Sequence, residues 1–283
     1  MRTLKDEKIK EALRCPKCNT PMALREGTCT SLVCTCGKMH CYDFSSSGYV
    51  NMSPPMQSGG GDSKQAVRAR TGFLELGHYA PVAEKLAELC CKYGNTGGLL
   101  IDAGCGEGYY SQQLAEAGFS VLGVDLSKFA TDAAAKRFSK NGLDNGLFVT
   151  GSVFEIPIAD NSADVITNVF APCVQGEFSR ALKPDGILAV AYAGENHLLG
   201  LKNAIYDTAH VNTQRADMPT ELEKLDEVRV CYSIELNSND DIMSLFAMTP
   251  YYWRTSLSDF EKLKGLERLT TEVDIIISVY KNN

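Results

Sequence analysis

A glycine-rich loop between a strand and a helix is the feature that most restricts how this chain can fold. The loop, residues 102–108 with the sequence DAGCGEG, follows an apolar strand and precedes a helical segment. Glycines here let the backbone turn sharply and let a ligand approach without a Cβ in the way. Asp125 ends the next strand, where an acidic residue can accept hydrogen bonds from ribose hydroxyls. This glycine loop therefore predicts a nucleotide-type ligand beyond the carboxyl ends of the strands.

Short apolar strands alternate with helices around the glycine loop. The strand before the loop is followed by apolar segments at 119–125, 146–152, 163–172 and 186–193, which predict four more strands. This alternation is typical of a parallel sheet covered by helices on both faces, so we predict an α/β fold. The C-terminal VDIIISVY predicts closing strands that could form an antiparallel edge. Residues 64–93 predict two helices, the second opened by Pro81.

The chain has eleven cysteines, and six of them fall within the first 41 residues. The N-terminus is charged and lacks the apolar run of a secretory signal, so this cluster indicates metal binding rather than disulfides. Cys15 and Cys18 form one close pair, and Cys36 with His40 forms a second at the spacing of a tetrahedral zinc site. Four protein ligands leave no open position, so we predict that the zinc is structural.

The second pair of zinc ligands stays open at this point, because Cys34 could replace Cys36. Cys29 is interpreted as a spectator. The remaining cysteines are interpreted as small buried apolar side chains; they are Cys90, Cys91, Cys105, Cys173 and Cys231.

The charge distribution separates an N-terminal head from the rest of the chain. The net charge is −7, yet residues 1–45 hold eight Lys or Arg against five Asp or Glu. Composition shifts to Ser, Gly and Pro after the cysteines, so we predict a zinc-binding module at 1–45, a linker and helical segment at 46–80, and the α/β domain at 81–283. Without a signal or a membrane-spanning apolar run, we expect a cytoplasmic protein with no membrane partner.

Several short motifs carry a family resemblance over most of the chain. They are CPKC at 15–18, Cys36 with His40, GYVN at 48–51, GHY at 77–79 followed by Pro81, the glycine loop, APC at 171–173, His197-Leu198, and MTP at 248–250 with Trp253-Arg254. With these motifs, the chain resembles the bacterial 23S rRNA (guanine-N1)-methyltransferases. The resemblance implies a class I (Rossmann-like) methyltransferase domain with an N-terminal zinc-ribbon-like module.

The resemblance also implies S-adenosylmethionine as the cofactor and 23S rRNA as the partner. The residues expected to bind the cofactor are Tyr79, Asp102, Gly104, Gly106, Glu107, Gly108, Asp125, Ser152 and His197. Among these, Asp125 would hold the ribose, Tyr79 would pack against the cofactor, and His197 would lie over the cofactor or the target pocket. The zinc module would help to grip an rRNA hairpin. Residues 53–61 depart from the family, which usually carries basic residues there, and this predicts weaker phosphate contact.

The implied reaction is direct transfer of a methyl group to guanine N1. Guanine N1 carries a proton at neutral pH, so a base or a hydrogen-bond acceptor should help to remove it. The sequence identifies no such base, and Asp164 and Glu195 are the candidates near predicted strand ends. A base inside a stem would have to be extruded to react.

Two other functions stay open from the sequence. The same core could methylate a small metabolite, which the acidic balance of the rest of the chain favours. Alternatively, an inert methyltransferase-like domain could serve as a zinc-containing binding protein, which the intact glycines and Asp125 disfavour. The sequence also leaves open whether the protein is a monomer or a homodimer.

Overall fold

Eight strands form the larger of two sheets in the structure, a computed structural model that describes residues 4–27, 30–53, 61–213 and 217–283. The interpretation of Cys29, and nearly all of the segment that departs from the family, lie outside these residues. The strands are β1 (Met22–Leu24), β2 (Ser31–Cys34), β3 (Cys41–Asp43), β4 (Val50–Asn51), β5 (Leu99–Ala103), β6 (Ser120–Asp125), β7 (Gly146–Thr150), β8 (Ala163–Val169), β9 (Leu182–Ala193), β10 (Glu223–Leu236) and β11 (Leu269–Lys281). The helices are α1 (Glu7–Ala12), α2 (Lys64–Glu75), α3 (Ala80–Tyr93), α4 (Tyr109–Glu116), α5 (Lys128–Lys140), α6 (Gln175–Ala181), α7 (Leu199–Ile205), α8 (Asn239–Ala247) and α9 (Leu257–Lys264), with a 3₁₀ turn at Pro250–Trp253.

The strand order of the large sheet is β10-β11-β9-β8-β5-β6-β7-β4. The strands from β9 to β4 pair in parallel with their neighbours, whereas β11 runs antiparallel to both β9 and β10. The predicted α/β fold is therefore confirmed, and the closing antiparallel strand β11 lies inside the sheet rather than at its edge. Because the chain leaves β5 for β6 on one side and later returns to β8 on the other, the order reverses at β5. Ligands of such sheets bind beyond the carboxyl ends of the strands at this reversal.

The strands next to the reversal are buried on both faces, as parallel strands must be. In β5, Leu100 packs into one apolar cluster with Leu86 of α3 and Phe138 of α5. Its neighbour Ile101 packs into a second cluster on the other face, which includes residues of α1 and α6. Two layers of helices therefore fix the end of β5, from which the glycine loop begins.

The N-terminal head is tied to this sheet on both sides of its cysteines. Asp6 caps α1 by accepting from Ile9 N at 3.1 Å and also accepts from Ser120 Oγ at 2.6 Å. Arg14 N donates to Pro157 O at 2.8 Å, and β4 extends the sheet beside β7. The division at residues 45 and 80 stays a prediction, but α1 belongs to the packing of the large sheet.

Between these two anchors lies a segment that we call the ribbon, residues 15–43. It contains the smaller, three-stranded antiparallel sheet β1-β2-β3.

The burial of the scattered cysteines can also be compared with the prediction from the sequence. Cys90 and Cys105 are buried, as predicted, but the prediction is wrong for Cys91 and Cys231, which are exposed. Their side chains lie on the outer faces of α3 and of the edge strand β10, and the identity of a residue alone does not reveal its face. Within the described ranges, no helix has the length and apolarity needed to cross a membrane.

Candidate cofactor site and metal cluster

The glycine loop is tied to the end of β6 by hydrogen bonds of its own backbone. Gly104 N and Cys105 N both donate to Val124 O, at 2.8 and 3.1 Å. Gly104 has a φ of +86°, and a Cβ built on it would lie 2.4 Å from the Cβ of Ala171 in the loop after β8. Only glycine combines this conformation with this close approach. The loop is thus wedged between the ends of β6 and β8.

Asp125 holds the same loop from the end of β6. One carboxylate oxygen accepts from Gly106 N at 3.0 Å, and the other accepts from Ser127 N at 2.7 Å. Burial raises the pKa of Asp125, while these two backbone N–H groups act in the opposite direction. Asp125 also faces the cavity described below, so the residue expected to bind ribose also shapes the loop.

A cavity of about 760 Å³ opens where β5, β6, β8 and β9 end. Its size suits a nucleotide-sized ligand. Six of the predicted cofactor residues line it: Tyr79, Gly104, Gly106, Glu107, Asp125 and His197. The cavity therefore brings together side chains from the start of α3, the glycine loop, the end of β6 and the turn after β9.

Three predicted cofactor residues do not line this cavity. Asp102 is 1% exposed and lies behind the loop, where its carboxylate accepts from Ser111 Oγ at 2.5 Å and from Thr167 Oγ1 at 3.2 Å. Burial raises the pKa of Asp102 to about 6. Gly108 packs against Ala134 of α5, and Ser152 Oγ accepts from Phe154 N at 3.2 Å. These residues support the loops around the cavity without facing it.

The sequence analysis missed other residues of the cavity wall, among them Asp62, Arg70, Val153, Phe154, Phe170 and Asn212. One signal was available for Arg70. Ala66, Arg70 and Leu74 all line the cavity, and their spacing of four places them on one face of α2. Val153 and Phe154 directly follow Ser152, the residue that was chosen instead.

Glu107 is the most unusual polar group of the cavity. It is 2% exposed, and its Oε2 has no hydrogen-bond partner among the described residues. Burial raises the pKa of Glu107, opposed by the nearby guanidinium of Arg70. Arg70 Nη1 lies 4.0 Å from this oxygen but 2.5 Å from Asp62 Oδ2. A buried acceptor left open beside a cavity fits a ligand that brings a cationic or N–H group.

His197 and its neighbours form the wall on the β8 and β9 side. His197 Nε2 lies 3.4 Å from Tyr79 Oη, and His197 Nδ1 accepts from Asp274 N at 3.3 Å. The ring of Phe170 is stacked on that of His197, with centroids 5.8 Å apart and an interplanar angle of 19°. Burial lowers the pKa of His197 to about 4, so the imidazole is neutral.

Neither sequence candidate for the base lies in this wall. Asp164 lies at the amino end of β8, away from the cavity, where its Oδ2 accepts from Lys183 Nζ at 2.8 Å and from Leu99 N at 2.9 Å. Glu195 follows β9 but is not part of the lining. The suggestion of Asp164 is wrong because the sequence pattern did not distinguish the two ends of β8.

Four metal-binding side chains converge in the ribbon. The ligand atoms of Cys15, Cys18, Cys34 and His40 all lie within 4.8 Å of one another. Cys34 therefore occupies the place that was predicted for Cys36. β2 ends at Cys34, which is 2% exposed and faces the cluster. Cys36 adjoins it, with its Sγ 3.1 Å from Cys34 Sγ and 3.9 Å from His40 Nδ1.

The local fold brings these donors together and favours the thiolate form of one of them, Cys18. Asn19 N donates to Cys15 O at 2.8 Å and closes the turn that carries the first pair, and His40 N donates to Cys34 Sγ at 3.0 Å. A hydrogen bond with Thr20 lowers the pKa of Cys18 to about 5. Three thiols and one imidazole are the donor set of a closed tetrahedral zinc site.

The chain is similar to a family model and to named relatives. A family model for a methyltransferase domain matches residues 95–247. The chain is 30% identical over 281 residues to a Bacillus subtilis (strain 168) protein with the provisional name 23S rRNA (guanine-N(1)-)-methyltransferase YxjB, covering 94% of this chain and 96% of that protein. It is 27% identical to the 23S rRNA (guanine(748)-N(1))-methyltransferase of Streptomyces fradiae, over 94% of this chain and 95% of that one.

Proposed function

Since the chain belongs to the 23S rRNA (guanine-N1)-methyltransferase family, we propose that it transfers a methyl group from S-adenosylmethionine to N1 of a guanine in a 23S rRNA hairpin. The observation that carries the proposal is the similarity along 94% of this chain, because it extends well beyond the methyltransferase domain matched at residues 95–247. Such a substrate would place the reaction in the cytoplasm.

The cavity supports a specific arrangement of the cofactor. Asp125 would accept hydrogen bonds from the ribose hydroxyls, and the backbone of Gly104 and Gly106 would let the cofactor approach closely. Glu107 would accept from the ammonium group of the methionine part, which would fill its open acceptor. Tyr79 would pack against the cofactor. When bound, S-adenosylmethionine supplies a methyl group on a positively charged sulfur, and these residues would orient it and exclude water.

The three predicted residues outside the cavity would act indirectly, through the loops that form its wall. Asp102 would hold α4 and β8 against the loop through Ser111 and Thr167. Gly108 would let α4 begin close to α5, and Ser152 would hold the turn that presents Phe154. Each would affect cofactor affinity by shaping the wall rather than by touching the ligand.

We also infer that the ribbon binds one structural zinc ion through Cys15, Cys18, Cys34 and His40, with Cys36 as the competing fourth ligand. The ribbon exposes Lys17, Arg25 and Lys38, which suit attraction to RNA phosphates. The ribbon would therefore grip the hairpin, while the cavity binds the cofactor.

Primer extension tests the methylated position directly. N1 lies on the Watson–Crick edge of guanine, so its methylation stops reverse transcription. Unmodified 23S rRNA incubated with the protein and S-adenosylmethionine should give one new stop, and Asp125→Ala should strongly reduce it. Mass spectrometry of the same fragment should show one added methyl group. A protein that binds S-adenosylmethionine but leaves every rRNA fragment unmodified would contradict the proposal and would favour a small acceptor.

A further inference from the structure

The strand order determines which side of the cavity receives the acceptor. Along the carboxyl edge of the sheet, Asp125 ends β6, the glycine loop follows β5, Phe170 follows β8 and His197 lies beyond β9. Asp125 would hold the ribose on the β6 side. The reacting methyl group would then point towards β8 and β9, so the residues of that wall would meet the acceptor.

The hydrogen bonds of His197 determine where its proton lies. Nδ1 accepts from the backbone N–H of Asp274 and therefore carries no proton itself. Because the ring is neutral, its single proton lies on Nε2, which faces Tyr79 and the cavity. His197 can therefore donate into the cavity but cannot accept a proton there.

The charged and titratable groups around His197 are consistent with this state. Asp274 of β11 raises the pKa of His197, and Lys202 of α7 lowers it, but burial outweighs both. Arg229 of β10 neutralises Asp274 through contacts of 2.7 and 2.8 Å. Tyr79, whose own pKa is raised by burial, stays protonated and uncharged beside His197 Nε2.

Phe170 presents an aromatic face at the same wall. Its φ of +53° is rare for a bulky residue, yet the residue is 49% exposed rather than buried in the core. Phe170 N donates to Ala191 O at 3.0 Å, and Asn168 Nδ2 ties the loop to Ala103 O at 3.2 Å and to Pro172 O at 3.0 Å. A strained backbone that holds an aromatic ring open at a cavity indicates a binding role.

We propose that Phe170 and His197 form the acceptor subsite, in which the guanine stacks on Phe170 and His197 Nε2–H donates to the guanine carbonyl oxygen O6. This inference rests on the proposed function. In the reaction, guanine gives up its N1 proton to water, N1 gains the methyl carbon, and the electron pair of the broken carbon–sulfur bond stays on sulfur. Loss of the N1 proton places negative charge on O6, and a donor fixed at that oxygen stabilises it.

The same donor would select the base. Adenine carries an amino group at position 6, so the His197 N–H would face another donor. Inosine keeps both the carbonyl at position 6 and the N1 proton. A hairpin with inosine at the target position should therefore be methylated, whereas one with adenine should not.

Two substitutions of His197 separate donation from packing. His197→Leu removes the donor, and His197→Gln keeps an amide N–H at nearly the same distance from the backbone. In single-turnover methylation of an rRNA hairpin, we expect His197→Leu to react about 100-fold more slowly than the wild type. Its rate should keep increasing up to a higher pH than the wild-type rate does, because the guanine must lose its N1 proton without the His197 N–H donor. His197→Gln should recover at least about tenfold of this loss. Because His197 is also among the residues expected to bind the cofactor, the rates are compared at saturating S-adenosylmethionine, set from the affinity of each variant measured by calorimetry.

Stacking is tested separately with Phe170→Leu and Phe170→Tyr. The leucine variant should raise the KM for RNA about tenfold, and the tyrosine variant should stay near the wild type, because base stacking needs an aromatic face.

The outcomes distinguish this inference from the proposed function. Equal loss in His197→Leu and His197→Gln, an unchanged pH profile, or methylation of the adenine hairpin would overturn the acceptor subsite while leaving the enzyme an rRNA methyltransferase. If His197→Leu no longer binds S-adenosylmethionine, the rate and pH profile of His197→Gln, together with the inosine and adenine hairpins, decide the question. If the wild type modifies no RNA at all, the proposed function fails and this inference fails with it.

Discussion

The glycine loop and the ribbon are both short segments that prepare a binding site, but they are held in different ways. The loop is fixed by the chain itself, through backbone bonds to Val124 O and to the carboxylate of Asp125. Its surroundings are apolar on both faces of β5. The ribbon has strands of only three or four residues, and its donors meet around a point suited to a metal.

This difference shows where each region obtains its order. The loop needs no ligand to form, because the ends of β6 and β8 already determine its course. A segment as small as the ribbon cannot bury enough apolar surface to fold independently, so metal binding would supply much of its folding free energy. Removing the metal should therefore affect the two regions very unequally.

Metal removal should give the largest effect. Structural zinc contributes on the order of 10 kcal/mol to the folding of small zinc modules. We expect about one zinc per chain, and after chelation we expect amide exchange at 15–43 to accelerate by orders of magnitude, while 99–125 stays protected. Helix α1 should also stay protected, because its contacts are with the large sheet. Cys91→Ser serves as a control and should keep its zinc. Unchanged exchange in the ribbon after complete metal removal would contradict this view.

The fourth ligand can be identified within the same experiment. Cys34→Ser should lower zinc affinity far more than Cys36→Ser, because only Cys34 belongs to the group of mutually close donors. The reverse order would restore the assignment made from the sequence.

The next largest effect is expected from a substitution that distorts the glycine loop and leaves the ribbon unchanged. Gly104→Ala places a methyl group against Ala171 at a φ of +86° and should destabilise the protein by about 3 kcal/mol, from backbone strain and overpacking together. Gly97→Ala is the matched control, because Gly97 has a φ of +89° with nothing near its missing Cβ, so it should show the strain alone. Denaturant unfolding measures both. The double variant Gly104→Ala/Ala171→Gly should fall back to the value of the control, and a cost that persists there would place the strain elsewhere.

Acid should act on the two regions in opposite directions. Burial raises the folded-state pKa of Asp102 to about 6, above the value of about 3.9 expected in the unfolded chain. Its favourable contribution is therefore fully present below about pH 4 and is lost as the pH rises through 6. Protons compete with zinc for thiolates and imidazole, so the ribbon should instead lose its metal as the pH falls.

Asp102→Asn isolates the contribution of this carboxyl group. The unfolding free energy of the wild type relative to this variant should fall by about 2 kcal/mol between pH 4 and pH 7, because both proteins share the same ribbon and every other acid. A chromophoric indicator should report zinc release from pH 7 to pH 5. A pH-independent difference between the two proteins would show that Asp102 is not a titrating group in this range.

The sequence predicted those parts of the fold that have local signals. Apolar runs and glycines identified β5 to β9, β11, the glycine loop and Asp125. The position of β11 between β9 and β10 could not be predicted in this way, because strand order depends on packing between distant segments. The same reason hid the attachment of α1 to the large sheet, which residues 1–14 do not reveal by composition.

In the candidate site, too, the motifs predicted some features and missed others. A motif identifies a position but not the direction of a side chain, so Asp102 was grouped with the cavity residues although it lies behind the loop. Cys34 and Cys36 are two residues apart, and spacing could not choose between them. Arg70 carried a helical-spacing signal, but a charged residue on an amphipathic helix is usually solvent-facing.

The smallest expected effects separate the roles of the two regions in function. Asp125→Asn should weaken S-adenosylmethionine binding by on the order of 1–3 kcal/mol, because one carboxylate acceptor becomes a donor that faces Gly106 N–H and the ribose. It should leave the salt dependence of RNA binding unchanged.

Conversely, a triple variant should weaken RNA binding about tenfold and reduce the slope of log K against log[salt] by about 2, while cofactor affinity stays the same. This variant combines Lys17→Gln, Arg25→Gln and Lys38→Gln. Lys264→Gln, which removes an exposed cation paired with Glu261 on α9, should change neither quantity. Calorimetry with S-adenosylmethionine and filter binding of the rRNA hairpin at several salt concentrations measure the two quantities independently. If the ribbon variant kept the wild-type slope, the ribbon would not contact phosphates, and the contrast between a cofactor-binding loop and an RNA-binding ribbon would have to be abandoned.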